Sequence, residues 1–349
     1  MRNVDYIIVG CGLAGIAFCE TLRAHNKSFL VYDNNSQQSS LVAAGLYNPV
    51  ILKRFTPVWQ VKTQLKIALP LYAKIEQDLN IKIDYPLRIL RRFASVQEQN
   101  LWFTAADKPA LQDFMNPTVI SNVNDNIDAP FGFGEVLQAG RLDTEVLLKE
   151  YRLYLSKQGL LITQKFNYDV VRSTDHHIYY ENIQAQQIVF AEGFGMKQNP
   201  FFNTLPLNGT KGEVLTAYIP NLKIDFIVKS SVFVIPLGED LYAVGSTYNW
   251  QDKTNHPTKE AKEELLRKLK TFITADIQIV DHVAGIRPTV KDRRPLVGSH
   301  HDHKNIHVLN GLGTRGVLIA PYAAEQLYRS IELNEPLDED INIQRFIKD

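Results

Sequence analysis

The chain has 349 residues, 45% hydrophobic and 22% charged, with 38 basic and 38 acidic side chains. That length supports more than one buried core. Zero net charge leaves no whole-chain field to draw it to nucleic acid or an anionic membrane, although a local basic patch stays open. The two cysteines, Cys11 and Cys19, are eight residues apart, roughly two helical turns and too far for a disulfide within one helix. With no signal-like leader and no run of about 18 uncharged apolar residues, the expectation is a reduced, cytoplasmic protein that does not span a membrane.

Residues 5–9 (Asp5-Tyr6-Ile7-Ile8-Val9) read as an apolar strand, and a glycine cluster follows at once. Residues 16–24 predict a helix and 28–32 a second strand that stops at Asp33, completing a β-α-β unit. Residues 34–40 are loop-like, and 60–79 predict a helix. From 80 to 140 the periodicity fades and Pro, Asn and Asp accumulate, which predicts an inserted segment or irregular sheet. Residues 144–157 space Leu147, Tyr151, Tyr154 and Leu155 along one helical face, with Gly159 placed to end it. Strands are predicted at 160–163 and 187–191. Between 211 and 247 the pattern alternates, and Gly238-Glu239-Asp240 parts two apolar runs as a hairpin turn would. A charged amphipathic helix over 258–274, a strand over 306–309 and a helix over 317–332 complete the pass.

Gly10-Cys11-Gly12-Leu13-Ala14-Gly15 has the G-x-G-x-x-G pattern, with a strand before it, a helix after it and a second strand ending in an acid. Gly10 permits the tight turn, Gly12 lets the backbone approach a pyrophosphate, and Gly15 lets the helix pack on the sheet. The helix N-terminus then faces the negative charge. Asp33 stands 23 residues after Gly10, where a carboxylate reaches ribose hydroxyls, and no Arg follows it directly to favour a 2′-phosphate. Alone, this unit predicts a dinucleotide and does not separate FAD from NAD. No second such turn follows a later strand, which argues against a reductase that also seats NAD(P)H. Cys11 reads as a small filler within the turn.

Further segments narrow the reading. They are Ser39-Ser40-Leu41-Val42-Ala43-Ala44-Gly45, Gly140-Arg141-Leu142-Asp143 and Ile188-Val189-Phe190-Ala191-Glu192-Gly193. Near the C-terminus come Gly285-Ile286-Arg287-Pro288 and Gly311-Leu312-Gly313-Thr314-Arg315-Gly316, with Ala320-Pro321 beyond. With these, most of the chain resembles the D-amino-acid oxidase superfamily of FAD enzymes, which includes glycine oxidase and the oxidase half of the tRNA-modifying enzyme MnmC. The resemblance implies an α/β fold in which a Rossmann-type FAD-binding domain (1–75, 137–204 and 282–349) interleaves with a mostly antiparallel-sheet, α+β substrate domain (76–136 and 205–281).

It implies non-covalent FAD held first by the turn residues Gly10, Gly12, Leu13, Ala14 and Gly15, with Asp33 and Asn34 after the second strand. Ser39, Ser40, Ala43, Ala44 and Gly45 would wrap the pyrophosphate and reach the flavin. Phe166 and the triplet Ala191, Glu192 and Gly193 would add contacts, Glu192 replacing the family's Thr or similar residue. Gly311, Gly313, Thr314, Arg315, Gly316 and Val317 would present a second helix N-terminus to the ring.

In this family flavin N5 accepts a hydride from the carbon beside an amine. The resemblance implies Arg287 as the carboxylate ligand, Arg315 as a second cation near it, and Tyr248 with Trp250 as pocket aromatics. The expected substrate is a small amino acid or N-substituted glycine. The alternatives are a wobble-uridine side chain of tRNA, itself an N-substituted glycine, and a 2-hydroxy acid. Ser299-His300-His301-Asp302-His303, with His307 beyond, reads as a polar loop rather than a metal site. Lys291-Asp292-Arg293-Arg294 reads as a solvated basic loop.

Overall fold

The computed structural model describes residues 1–346. The apolar run at the start becomes β1 (Arg2–Val9), and the glycine turn opens α1 (Leu13–Ala24), which leads to β2 (Phe29–Tyr32). A short α2 (Ser39–Val42) begins in the last two residues of the stretch expected to be loop, and α3 (Val61–Leu79) follows. The segment expected to be irregular contains β3 (Ile89–Arg92), α4 (Val96–Ala106) and β4 (Phe133–Val136). After α5 (Thr144–Lys157) come β5 (Leu161–Ile162), β6 (Arg172–Ser173), β7 (Ile178–Tyr180) and β8 (Ile183–Phe190).

The alternating stretch forms β9 (Thr210–Tyr218), β10 (Ile227–Lys229), β11 (Phe233–Gly238) and β12 (Leu241–Gly245). Then come α6 (Lys259–Leu269), β13 (Gln278–Arg287), β14 (Leu296–Ser299), β15 (Ile306–Asn310) and α7 (Gly316–Leu333).

Two large sheets result. The first runs β5-β2-β1-β8-β7-β6, and β15 pairs with the C-terminal half of β8 and carries β14 on its other edge. Strands β5, β2, β1, β8 and β15 are mutually parallel, so their C-terminal ends open on one side. Such a sheet needs cover on both faces. Helices α1, α3, α5 and α7 supply one cover, with Phe18, Leu22, Leu65, Tyr151 and Leu327 buried there. The segment after β8 supplies Met196, Phe202 and Leu205 to the other.

The second sheet runs β13-β9-β12-β11-β10-β3-β4, antiparallel at every ladder except β10 with β3. Strand β13 is continuous from Gln278 to Arg287, across the boundary expected at 281/282, and lies wholly in this sheet. One face packs on α6 through Leu265 and Leu269 against Leu215, Val234 and Val244. Alternation puts Val214, Phe233 and Ala243 on the opposite face, in the same core as α1 and α7. The fold is thus mixed α/β, with a parallel-cored sheet facing a mostly antiparallel one.

Candidate active site

A cavity of 770 Å³ is lined from both sheets. The first contributes the loops after β1 and β8, at the strand C-terminal ends where ligands of open parallel sheets gather. The second contributes Gly212, Val214, Phe233, Gly285 and Arg287. Gly10, Gly12, Leu13, Ala14, Asp33, Asn34, Ser39, Ser40, Ala43, Ala44, Gly45 and Phe166 all line this space. So do Ala191, Glu192, Gly193, Gly313, Thr314, Arg315, Gly316, Val317, Arg287 and Tyr248.

Gly15, Gly311 and Trp250 do not line it. A Cβ at Gly15 would sit 2.0 Å from the Gly10 carbonyl oxygen, so Gly15 is consumed in seating α1 on its own turn. Gly311 turns at φ +73°, and a Cβ there would lie 2.5 Å from a Val290 methyl group. Trp250 is 48% exposed.

The cradle is built of backbone. Gly10 turns at φ +105°, and a Cβ there would lie 2.4 Å from the Ala191 carbonyl oxygen, which locks the two loops edge to edge. Gly12 caps α1 without any side-chain bond, and the first turn of α1 carries no acid. Its free N–H groups and positive dipole end therefore face the cavity. The one side chain that meets them is Ser40, whose Oγ accepts the Leu13 N–H at 3.3 Å. Gly193 and Gly313 have nothing within 4 Å where a Cβ would be. An uncapped helix end beside open glycines suits a pyrophosphate. The second helix N-terminus, at Arg315 before α7, likewise has no side-chain cap and no acid in its first turn.

Asp33 lines the cavity and is already well bonded. It accepts the Cys11 N–H at 2.9 Å and the Asn35 N–H at 2.8 Å, and it pairs with Arg152 of α5 at 2.9 Å. Arg152 also lines the cavity and was not foreseen; no local pattern marks which residue of an amphipathic helix will meet a strand end 119 residues away. Glu192 is buried, accepting from the Tyr168 hydroxyl and from Asn199 at 2.7 Å. Burial lifts its carboxyl to about 7, against the pull of those two bonds.

Arg287 and Arg315 are both half-buried at the cavity wall, and neither has a carboxylate partner among the described residues. Arg287 donates to the Thr247 carbonyl at 3.1 Å and stacks 4.6 Å from the Tyr248 ring centroid. Its guanidinium lies flat across Gly212, where a Cβ would be 1.9 Å from a guanidinium nitrogen. Burial pulls both arginines below their ordinary range, the nearby Tyr248 opposing it in each case. Two cations thus share one water-poor wall without an anion. Lys229 of β10, also unforeseen, lines the cavity farther along the same sheet.

The other sequence features lie apart from this chemistry. Cys11 and Cys19 are free and buried, and burial pushes the Cys11 thiol up to about 12 and Cys19 well above its usual value. Neither is primed as a nucleophile. His300, His301 and Asp302 bring donor atoms within 4.8 Å of one another on the loop between β14 and β15, outside the cavity. His307 is buried, bonded to Ser299 at 2.8 Å and Gln187 at 2.9 Å, and burial pushes it down to about 3. No helix among the described residues is long and apolar enough to cross a membrane.

Residues 5–329 match the family described as FAD dependent oxidoreductase (DAO). Glycine oxidase of Bacillus subtilis is 23% identical over 228 residues, covering 60% of this chain and 61% of that protein. MnmC of Campylobacter jejuni subsp. doylei, a bifunctional protein of tRNA 5-methylaminomethyl-2-thiouridine biosynthesis, is 20% identical over 314 residues, 86% of this chain and 47% of its own length. The chain thus spans about half to three-fifths of the curated relatives it matches.

Among solved structures, glycine oxidase of Geobacillus kaustophilus superposes with a TM-score of 0.79 at 17% identity, covering 100% of both chains. Iminodiacetate oxidase of Chelativorans sp. BNC1 gives 0.75 at 16%, covering 95% of this chain and 96% of that one. At those identities the likeness shows the fold. The family match and the phosphate-ready cradle agree: this chain belongs to the DAO family of FAD-dependent oxidoreductases, with FAD as its cofactor.

Proposed function

We propose that this enzyme oxidises the C–N bond of a small amino acid or an N-substituted glycine, with FAD held non-covalently by the backbone cradle. One observation carries the substrate class: Arg287 and Arg315 face one cavity as half-buried cations with no acidic partner among the described residues. A structural arginine would be paired, since leaving its charge uncompensated in a poorly solvated wall is costly. A substrate carboxylate supplies the missing partner and can accept two N–H bonds from a guanidinium.

Bound FAD supplies the two-electron acceptor. The chain does the rest: Arg287 and Arg315 fix the carboxylate, Tyr248 closes over Arg287, and Val214 and Phe233 keep water from the reacting carbon. In this division the parallel-cored sheet carries the cofactor and the antiparallel sheet the substrate.

Anaerobic mixing of the holoenzyme with glycine, sarcosine and 2-hydroxy acids, followed by flavin absorbance, tests the reading. Bleaching by amines is expected; bleaching by hydroxy acids alone would overturn it. A second reading takes the N-substituted glycine to be a modified-uridine side chain of tRNA, favoured by the MnmC likeness over 86% of this chain. That reading requires binding that weakens steeply with salt as phosphate contacts release counterions.

A further inference from the structure

Beyond the cofactor cradle and the two arginines, the cavity is also lined by Lys229, a cation without an anionic partner among the described residues. Lys229 ends β10, and pairing carries its row across the sheet through Phe233, Gly245 and Val214. Directly paired residues share a face, so Lys229 points the same way as Val214 and, two residues along β9, Gly212 beneath the Arg287 guanidinium. The ammonium leans back over the Phe233 ring, 5.3 Å from its centroid, toward the middle of the sheet. Three strand spacings of about 4.8 Å, roughly 14 Å, and a two-residue offset separate the Gly212 and Lys229 α-carbons; the lean of the ammonium over Phe233 brings it to roughly 10–13 Å from the guanidinium.

The neighbouring charges do not satisfy this lysine. Arg91, its partner on β3, is bonded to Glu98 at 2.7 Å, and Lys268 is bonded to Glu264. The Lys229 carbonyl accepts from Arg91, but its ammonium makes no hydrogen bond or ion pair among the described residues. Burial, with repulsion from Arg91 and Lys268, pushes its ammonium down to about 8. A lysine kept for the fold alone would find an acceptor or reach bulk water. This one opens into the cavity instead.

We propose that the substrate carries a second anionic group, a carboxylate or phosphate several bonds from the α-carboxylate, and that Lys229 receives it. This rests on the amine-oxidation reading, with Arg287 and Arg315 taking the α-carboxylate, and it makes a dianionic amine the preferred substrate, with glycine and sarcosine oxidised more slowly. Lys53 and Ser231, which line the same cavity, add a second cation and a hydroxyl to its walls.

The test titrates the holoenzyme with adipate, hexanoate and 6-phosphonohexanoate, following the flavin difference spectrum. Adipate and hexanoate share a chain length and differ by one carboxylate. Adipate is expected to bind roughly tenfold more tightly, an advantage lost in Lys229→Met and kept in Lys229→Arg, with hexanoate affinity unchanged in both. A larger advantage for 6-phosphonohexanoate supports the proposal with phosphate as the distal group; the reverse order supports it with carboxylate.

Equal binding of adipate and hexanoate by the wild type overturns it, as does an adipate advantage that survives Lys229→Met. Thermal unfolding separates a structural role: removing an unpaired half-buried charge leaves Tm unchanged or raises it, whereas loss of a supporting lysine lowers it, and a lowered Tm would count against the proposal. Arg287→Leu keeps the two readings distinguishable. If it abolishes hexanoate binding while adipate holds no wild-type advantage, the distal site fails and the amine reading stands. If hexanoate affinity is indifferent to Arg287, the underlying reading fails.

Discussion

Gly212 is the residue on which the carboxylate site turns, although it has no side chain to offer. The Arg287 guanidinium occupies the volume its Cβ would fill, with the guanidinium carbon 2.0 Å from that position. A methyl group there moves a flexible side chain, so Gly212→Ala should fold normally and still lift Arg287 off its seat against Tyr248. The expected result is a loss of monocarboxylate affinity of roughly tenfold or more with Tm nearly unchanged. Unaltered hexanoate binding would show that the seat is dispensable.

Glu192 invites a pH argument at the same scale. Its carboxyl titrates near 7 when folded and near the ordinary 4.5 when unfolded. The folded state therefore holds the proton longer, and stability falls as pH rises from about 4.5 to about 7 and stays low above. The full cost is at most about 3 kcal/mol at 1.36 kcal/mol per pH unit. Glu192→Gln removes the titration and should stabilise the apoprotein by about 1–3 kcal/mol at pH 8 but hardly at pH 4. Equal differences at the two pH values, by denaturant unfolding, would contradict this.

At the scale of elements, the decisive feature is an α1 N-terminus left without a cap. Ser40 is the one side chain at that end, its Oγ 3.1 Å from where a Gly12 Cβ would lie. Ser40→Asp would cap α1 and place a negative charge where the cofactor's phosphates belong. Its effects should have opposite signs: apoprotein stability up by about 0.5–1 kcal/mol and FAD affinity down at least tenfold. A parallel change in both would mean that α1 does not face the phosphates.

The β1-α1-β2 unit was legible in the sequence because period, glycines and terminal acid agree over a short span. The hairpin was legible for the same reason, and Glu239 and Asp240 do adopt φ of +52° and +61° at its tip. Helix α4 was not. Trp102 and Ala105 are buried while Val96, Leu101 and Phe103 are exposed, so its apolar residues form no one-sided stripe. Its real signal was local: Ser95 accepts the Glu98 N–H at 3.2 Å, a capping pair readable from Ser-x-x-Glu. The Arg152–Asp33 pair and Lys229 were silent because each depends on how distant strands and helices stack.

At the scale of the whole molecule, the cofactor site is assembled from separate pieces of chain. The turn after β1, the segment at 39–45, the loop after β8 and the turn before α7 come together only at the cavity. These loops are rich in glycine, and the turn after β1 meets the loop after β8 through backbone, Gly10 against Ala191. Leu13, Ala191 and Leu312 anchor three of them in the core, but residues 39–44 and 313–316 are only half-buried or exposed, so these stretches belong to the easily opened part of the structure. FAD should therefore order them together. At 100 times its Kd, free FAD adds about 2.7 kcal/mol of stability by linkage, and the site it closes should gain most of the protection. Hydrogen exchange of apo- and holoenzyme should show slowing at 10–15, 39–45, 191–193 and 311–317. The outer face of the antiparallel sheet, where Leu215, Val234 and Val244 pack on α6, should exchange alike in both forms. Slowing spread evenly over both sheets would mean that FAD binding acts by global stabilisation alone, and that the cradle stands formed before the cofactor arrives.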